Sequence, residues 1–394
     1  MTNQAEIEKE LRCLDEAGLL RRLRTLDSAQ RPVVTVNGHD LINFSSNDYL
    51  GLADSDELKD AMIEGVQRFG AGAGASRLVC GNLAPHAQLE ETLASFKNTE
   101  AALAFSSGYA VAMGVIPALC RKGDSVILDK LSHACLIDAA RLSGATIRVF
   151  PHNNVTKLAY LLKTVRANSP GRILVATESI FSMDGDAAPL CEIAKLCEDN
   201  DALLLVDEAH AVGVLGPGGR GLIAELGLEK RVPLQMGTLG KALGVSGGYV
   251  AASRSIIDLL INKARSLIYS TAPPPAVAFA AARAVEIVQG KHGDGLRARL
   301  RENLIEAHAP LAAILPIIIG DASRAMQSSA ALLEQGFLVP AIRYPTVARG
   351  SARLRVTLSA AHERNQIEAL IACLRDMMPQ LPATVEHPAG QGAQ

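Results

Sequence analysis

The pattern of apolar and polar positions changes character twice along the chain. Ile7, Leu11 and Leu14 recur at helical spacing, which predicts an amphipathic helix ending near the basic cluster Arg21, Arg22 and Arg24. VVTV and HDLINF then flank Asn37-Gly38, a two-residue turn signal that predicts a hairpin. Residues 55–69 and 86–97 read as helices, and the glycine-rich segment Gly70 to Gly74 reads as a loop. From about residue 100 the period shortens. Apolar runs at 101–105, 125–129, 146–150, 172–177 and 202–207 are separated by helical segments. Such alternation predicts an α/β fold, with a mostly parallel sheet covered on both faces. A strand at 247–252 and helices at 254–266 and 276–289 complete this unit.

Beyond GKHGDG, read as a loop near residue 291, the pattern becomes α+β. It offers a long helix, IIIG, a second helix, FLVPAIRY, ARLRVTL and a terminal helix over 363–377. The expected organisation has four parts. Residues 1–50 hold the N-terminal helix and hairpin, packing with a small domain. Residues 51–290 form a large α/β domain, and 291–380 the small α+β domain. Residues 381–394 form a mobile tail.

Composition narrows the class. With 394 residues, 48% hydrophobic and 20% charged, the chain can bury a large core without disulfides. A disordered chain, a collagen and a disulfide miniprotein are excluded. The 39 Lys+Arg and 41 Asp+Glu give a net charge of -2, without the basic excess of a general nucleic-acid or anionic-membrane binder. The 7 cysteines are odd in number and form no Cys-x-x-Cys pair, which argues against zinc ribbons and thioredoxin-type chemistry. Reduced thiols fit a cytoplasmic protein, and no metal site is expected. The N-terminus is unlike a signal or transit peptide. No apolar run approaches the ~20 residues of a membrane helix.

Three motif matches fail on context. Gly216-Pro-Gly-Gly-Arg-Gly221 fits G-x-G-x-x-G, but no strand runs into it and Pro217 interrupts it, so a surface turn is the better reading. Gly244-Val-Ser-Gly-Gly248 fits a hydrolase elbow, but the strand follows it instead of preceding it. Asp207-Glu-Ala-His210 spells a helicase box in a chain without a phosphate loop.

The same segment makes sense with other neighbours. Asp207 ends the most apolar strand, where open α/β sheets bind ligands. A buried carboxylate there needs a cationic partner. Lys241 sits between glycines in TLGKALG. Ser106-Ser-Gly108-Tyr109 joins a strand to a helix, a ready phosphate site, and His133 follows the carboxyl end of SVILD. A phosphate-binding helix start, an aromatic ring, a carboxylate and a lysine in this order suit pyridoxal phosphate (PLP). The lysine would bond the cofactor and the carboxylate would keep its pyridine nitrogen protonated.

From about residue 20 to 377 the chain resembles the α-oxoamine synthases, a branch of the fold-type I PLP enzymes. The landmarks are NFSSNDYLGL (43–52), GAGASRLVCGN (72–82), SSGY (106–109), DKLSHAC (129–135), ESIFSMDGD (178–186), VDEAHAVGVLGPGGRG (206–221), GTLGKALGVSGG (237–248), IYSTAPPP (268–275) and ARLRVTLSAAHE (352–363). The resemblance implies a seven-stranded, mostly parallel sheet plus a smaller C-terminal domain. It implies Lys241 as the cofactor-bonding and proton-transfer group, Asp207 at the pyridine nitrogen and His210 at the ring oxygen. His133 would stack on the ring. Gly108, Tyr109, Ser182 and Thr238 would touch PLP, and Thr271 would reach the phosphate of the neighbouring subunit in a homodimer with a shared site. Arg355, helped by Asn47, would grip the amino-acid carboxylate. Arg21 and Thr346 would lie near the acyl substrate.

Taken singly, these residues have plainer readings. Asp207 could cap a helix, His210 could be a core histidine, and Arg355, which shares a strand face with Arg353, could be exposed. Arg21 could be part of a solvated helix end, and Ser182 only a turn residue. The segment AIRYPTVARGSARLRVTLSAAHE is most similar to the branch that condenses L-alanine with a pimeloyl thioester, on coenzyme A or acyl carrier protein, in biotin biosynthesis. Alternatives are a glycine C-acetyltransferase, a synthase for other acyl groups, and a non-catalytic partner subunit, which the intact Lys241 argues against. Ala75 and Cys80 depart from the usual Gly and Ser, and Leu239 from the usual Phe; none removes a catalytic group.

Overall fold

The computed structural model describes residues 3–377, apart from 169, 308, 310 and 311. The expected mobile tail lies outside the described residues. The first helix, Asn3–Glu16, buries none of its residues, and Ile7, Leu11 and Leu14 stay largely exposed. Strands β1 (Val33–Val36) and β2 (His39–Asn43) form the hairpin turned by Asn37 and Gly38, both at positive φ as the tight turn requires.

Seven strands build the main sheet. They are β3 (Ala101–Phe105), β4 (Ser125–Asp129), β5 (Thr146–Phe150), β6 (Ile173–Glu178), β7 (Leu203–Asp207), β8 (Leu234–Thr238) and β9 (Gly248–Ala252). Their order is β3-β9-β8-β7-β6-β4-β5, parallel from β8 to β5, with β9 antiparallel to both β3 and β8. Every residue of β3, β4, β6 and β9 is buried, which is why these strands read as unbroken apolar runs. Helices Gly108–Leu119, Ala134–Ser143 and Arg254–Lys263 cover one face with Val111, Val115, Ile116, Leu136 and Leu260. Leu158, Leu162, Ile193 and Phe181 pack on another side. The α/β expectation is met. Strand β8 was not singled out beforehand, because LQMGT is short and mixes Gln and Gly with two apolar residues.

After helix Pro275–Gln289 one expectation fails. GKHGDG is not a loop: helix Lys291–Glu306 begins directly after an extended Gly290. Two glycines weaken a helix by about 1 kcal/mol each relative to alanine. Packing overrides that propensity. Gly293 lies so close to the Val288 carbonyl that a Cβ would sit 2.1 Å from its oxygen. Leu300 and Leu304 anchor the far end.

The remaining strands are β10 (Ile314–Gly320), β11 (Phe337–Leu338), β12 (Ala341–Ile342) and β13 (Ala352–Thr357). β10, β13 and β12 form an antiparallel sheet, while β11 pairs with β2 in parallel. The N-terminal hairpin therefore shares a sheet with a strand from the C-terminal region. β13 is buried throughout and brings Arg353 and Arg355 to one face.

Candidate active site

The carboxyl ends of the parallel strands converge on one region. Asp207 ends β7 and Glu178 ends β6, directly opposite each other in the ladder. The Asp207 carboxylate is buried and accepts one backbone N–H, from Ala209 at 3.0 Å. Burial pushes its pKa up, and Lys241 opposes that. Glu178 is buried as well. It accepts the backbone N–H groups of His133 (2.7 Å) and Ser182 (3.3 Å). Burial, then repulsion from Asp207, raises its carboxyl to about 8.

Lys241 lies in the turn between β8 and β9. Its Nζ is 2.7 Å from His210 Nε2, and burial lowers its pKa to about 8, so a useful fraction is a neutral amine near neutral pH. His210 Nδ1 is 2.6 Å from the Tyr49 hydroxyl. Burial and the positive charge of Lys241 hold His210 neutral, its pKa far below the usual histidine value. His133 caps helix Ala134–Ser143, its Nδ1 accepting the Cys135 N–H at 3.2 Å. His133 is exposed, but the protein packed around it lowers its pKa by partial desolvation.

Arg355 reaches the same region from β13. Its Nε donates to the Ser182 carbonyl at 2.7 Å, and both Nη groups donate to Asn47 Oδ1 at 3.1 Å. Nη1 also donates to Thr357 Oγ1 at 3.0 Å. Arg353 beside it donates to the Met183 carbonyl and to Asp184. Both arginines are buried, so the exposed-strand reading is overturned. A cleft of about 400 Å³ is lined by Asn47, Asp48, Gly240, Lys241, Gly244 and Val245.

Gly108 opens helix Gly108–Leu119, with Ser107 capping the Ala110 N–H. Gly248 packs against this turn so closely that a Cβ would sit 2.6 Å from the Gly108 nitrogen. Thr238 lines the same spot, its hydroxyl donating to the Gly247 carbonyl at 3.0 Å. The Tyr109 ring is exposed and its hydroxyl donates to Asp138 at 2.9 Å. Arg21 and Thr346 are exposed but bonded to each other at 3.2 Å, across 325 residues of sequence. Thr271 is exposed and bridges Ser76 of the glycine-rich segment. No hydrogen bond links it to the Lys241 cluster among the described residues. Glu178 and Tyr49 were missed as site residues, although both lie inside the landmark segments. The available signal for Glu178 was a second acidic residue ending an apolar strand.

These residues fit PLP on their own chemistry. Two buried acidic groups face a single ammonium and both have raised pKa values, so the pocket has room for the positive charge that a protonated pyridine would supply. A capped helix start whose first N–H groups have no intrahelical partners suits a phosphate. Among the described residues no cluster of three or more metal-ligating side chains occurs.

Fold and site together define a fold-type I PLP-dependent transferase. Residues 39–374 match the family model described as aminotransferase class I and II. An 8-amino-7-oxononanoate synthase of Anaeromyxobacter dehalogenans is 47% identical over 393 residues, 98% of each chain. Among solved structures, a serine palmitoyltransferase from S. paucimobilis with bound PLP and myriocin superposes with TM-score 0.89 at 28% identity, covering 95% of this chain and 97% of that one. An 8-amino-7-oxononanoate synthase from Francisella tularensis gives TM-score 0.72 at 30% identity, covering 86% and 98%. The chain belongs to the 8-amino-7-oxononanoate synthase family.

Proposed function

We propose that this protein uses PLP to condense L-alanine with a pimeloyl thioester, releasing CO₂ and the free carrier thiol and forming 8-amino-7-oxononanoate. The reading is carried by one observation: Lys241, the under-compensated Asp207 and the buried Arg355 converge on a single region. The names of the relatives support the choice of acyl group.

Arg355 binds the alanine carboxylate. Four of its five N–H donors are already directed, two of them at Asn47, so Asn47 must release its hold for a two-pronged grip. Asp207 would keep the pyridine nitrogen of bound PLP protonated, and His210 would donate toward its ring oxygen. When bound, PLP supplies an electron sink for the pair left on the amino acid's α-carbon. Lys241 Nζ takes the proton from that carbon and returns one after CO₂ has left. Its pKa near 8 suits both directions. The α-carbon bonds to the thioester carbonyl carbon, the carbon–sulfur bond breaks, and the departing thiolate takes a proton from solvent. His133, at the open side, steadies the oxyanion that forms. Gly108, Tyr109, Ser182 and Thr238 would complete the contacts to PLP, and Arg21 and Thr346 those to the acyl group.

A homodimer is part of this reading, with Thr271 serving the neighbouring subunit. Exposed Leu78, Val79 and Tyr269 near the Ser76–Thr271 bridge support it. So are the divisions at residues 50 and 290, and a cytoplasmic location, which seven unpaired cysteines favour. No helix among the described residues is long and apolar enough to cross a membrane.

The test compares alanine plus pimeloyl-CoA, alanine plus pimeloyl-acyl carrier protein, and glycine plus acetyl-CoA. Turnover of alanine with either pimeloyl donor is expected to dominate, and faster glycine turnover would refute the assignment. Lys241→Ala is expected to lose both turnover and the visible absorbance of lysine-bound PLP.

A further inference from the structure

One charged cluster next to the site has no part in the chemistry above. His152, two residues beyond β5, lies between two carboxylates. Its Nδ1 is 2.9 Å from Asp129 Oδ1 and its Nε2 is 2.8 Å from Asp186 Oδ2. With an acceptor at each nitrogen, both must carry protons, so the ring is a cation. Burial opposes that charge, but the hydrogen bonds and charges of Asp129 and Asp186 win and raise its pKa to about 10. The Phe181 ring meets it edge-on, with centroids 4.4 Å apart.

The two carboxylates belong to different turns. Asp129 ends β4 and is 1% exposed, so it is fixed in the sheet. Its oxygens also accept the N–H groups of Leu131 and Asn153, each at 2.8 Å. Asp186 belongs to the turn after β6, where its carbonyl accepts the Phe181 N–H at 3.0 Å. That turn presents the Ser182 carbonyl to Arg355 and the Met183 carbonyl and Asp184 carboxylate to Arg353. Asp186 Oδ2 also accepts from Asn153 Nδ2 at 2.9 Å, but its Oδ1 is buried without a partner. The imidazolium is thus the cation that ties this turn to the sheet.

We propose that His152 is a positioning residue: its doubly protonated ring ties the Ser182–Asp184 turn to the end of β4 and thereby aims Arg355 at the amino-acid carboxylate. Removing the cation leaves two carboxylates facing each other, and the turn is pushed outward. The residues assigned to the acyl group, Arg21 and Thr346, bond each other and lie outside that turn. This inference rests on the reading of Arg355 given above.

The test uses the PLP-loaded protein and the variants His152→Gln and Asp186→Ala, the second removing only the more exposed carboxylate. Alanine is titrated by its effect on the visible spectrum, and KM is measured for both substrates. For His152→Gln, weakening of alanine binding and a rise in alanine KM by about tenfold or more are expected, because small misplacements of a gripping group carry penalties of that size. Acyl-thioester KM should stay within about twofold. Asp186→Ala should shift alanine KM in the same direction by less. If both variants melt at lower temperature but keep wild-type alanine affinity, the clamp is structural only and the proposal is overturned. A wild-type protein without a PLP band, or with alanine affinity unchanged in Arg355→Ala, would overturn the site reading and the clamp with it.

Discussion

Asp207 and Glu208 are neighbours in sequence and both buried, yet the protein treats their charges in opposite ways. Glu208 is fully compensated. One oxygen accepts from the Lys97 ammonium at 2.5 Å and the other from the Ile223 N–H at 3.0 Å. Lys97 spends a second proton on the Arg220 carbonyl. Asp207 has one backbone donor and must share Lys241 with Glu178. A finished ion pair holds a fold together but has nothing left for a ligand. An unfinished one costs stability and leaves a place for a cation. The glycine-rich turn at 216–221 belongs to the finished side. It is not a free surface turn: Gly221 is buried, and a Cβ there would sit 2.5 Å from the Glu208 carboxylate.

The comparison is most easily broken by removing each charge in turn. Lys97→Met should destabilise the protein by about 3–5 kcal/mol, because it strands a buried carboxylate. Urea unfolding measures this, and Lys97→Met with Glu208→Leu should recover much of it. Asp207→Asn should do the reverse. Turnover should fall by about 10²- to 10³-fold, the same few kcal/mol now taken from the loaded site. The PLP-free protein should become more stable, by about 1 kcal/mol. If Asp207→Asn destabilises the PLP-free protein as Lys97→Met does, the two carboxylates are not different in kind.

How far this contrast was legible in sequence depended on range. Lys241, Asp207 and His133 stood out because each lies at or just beyond a strand's carboxyl end or between glycines, whereas the role of His210 came only from the family resemblance. Arg355 was uncertain, since strand alternation says that Arg353 and Arg355 share a face but not whether that face is buried. The turn at 182–184, far away in sequence, settles it. Lys97 gave no signal. A lysine in the last turn of a helix reads as a favourable end charge, and its partner is 111 residues away. The helix at 291 was lost for a similar reason, its Gly293 being required by a neighbour and not by the local pattern. Glu178 and Asp207 are matched only through the ladder between β6 and β7, which no local pattern reveals.

That ladder pair gives the finest test. The folded protein holds the Glu178 proton up to about pH 8, whereas the unfolded chain releases it near the ordinary value of 4.5. Across this window the folded state binds more protons, so stability falls as pH rises from 4.5 and levels off above about 8. Glu178→Gln removes the proton exchange and should flatten the decline. Between about pH 5 and about pH 8, wild-type PLP-free protein should lose roughly 1–2 kcal/mol more than the variant, a slope below the ~1.4 kcal/mol per pH unit that one uncoupled proton allows. The discount reflects Asp207, whose own raised pKa shares the same ammonium and takes part of the effect. If the variant declines as steeply as wild type, Asp207 alone carries the proton. The unfinished charge would then sit wholly on the strand end that faces Lys241, instead of being shared across the ladder.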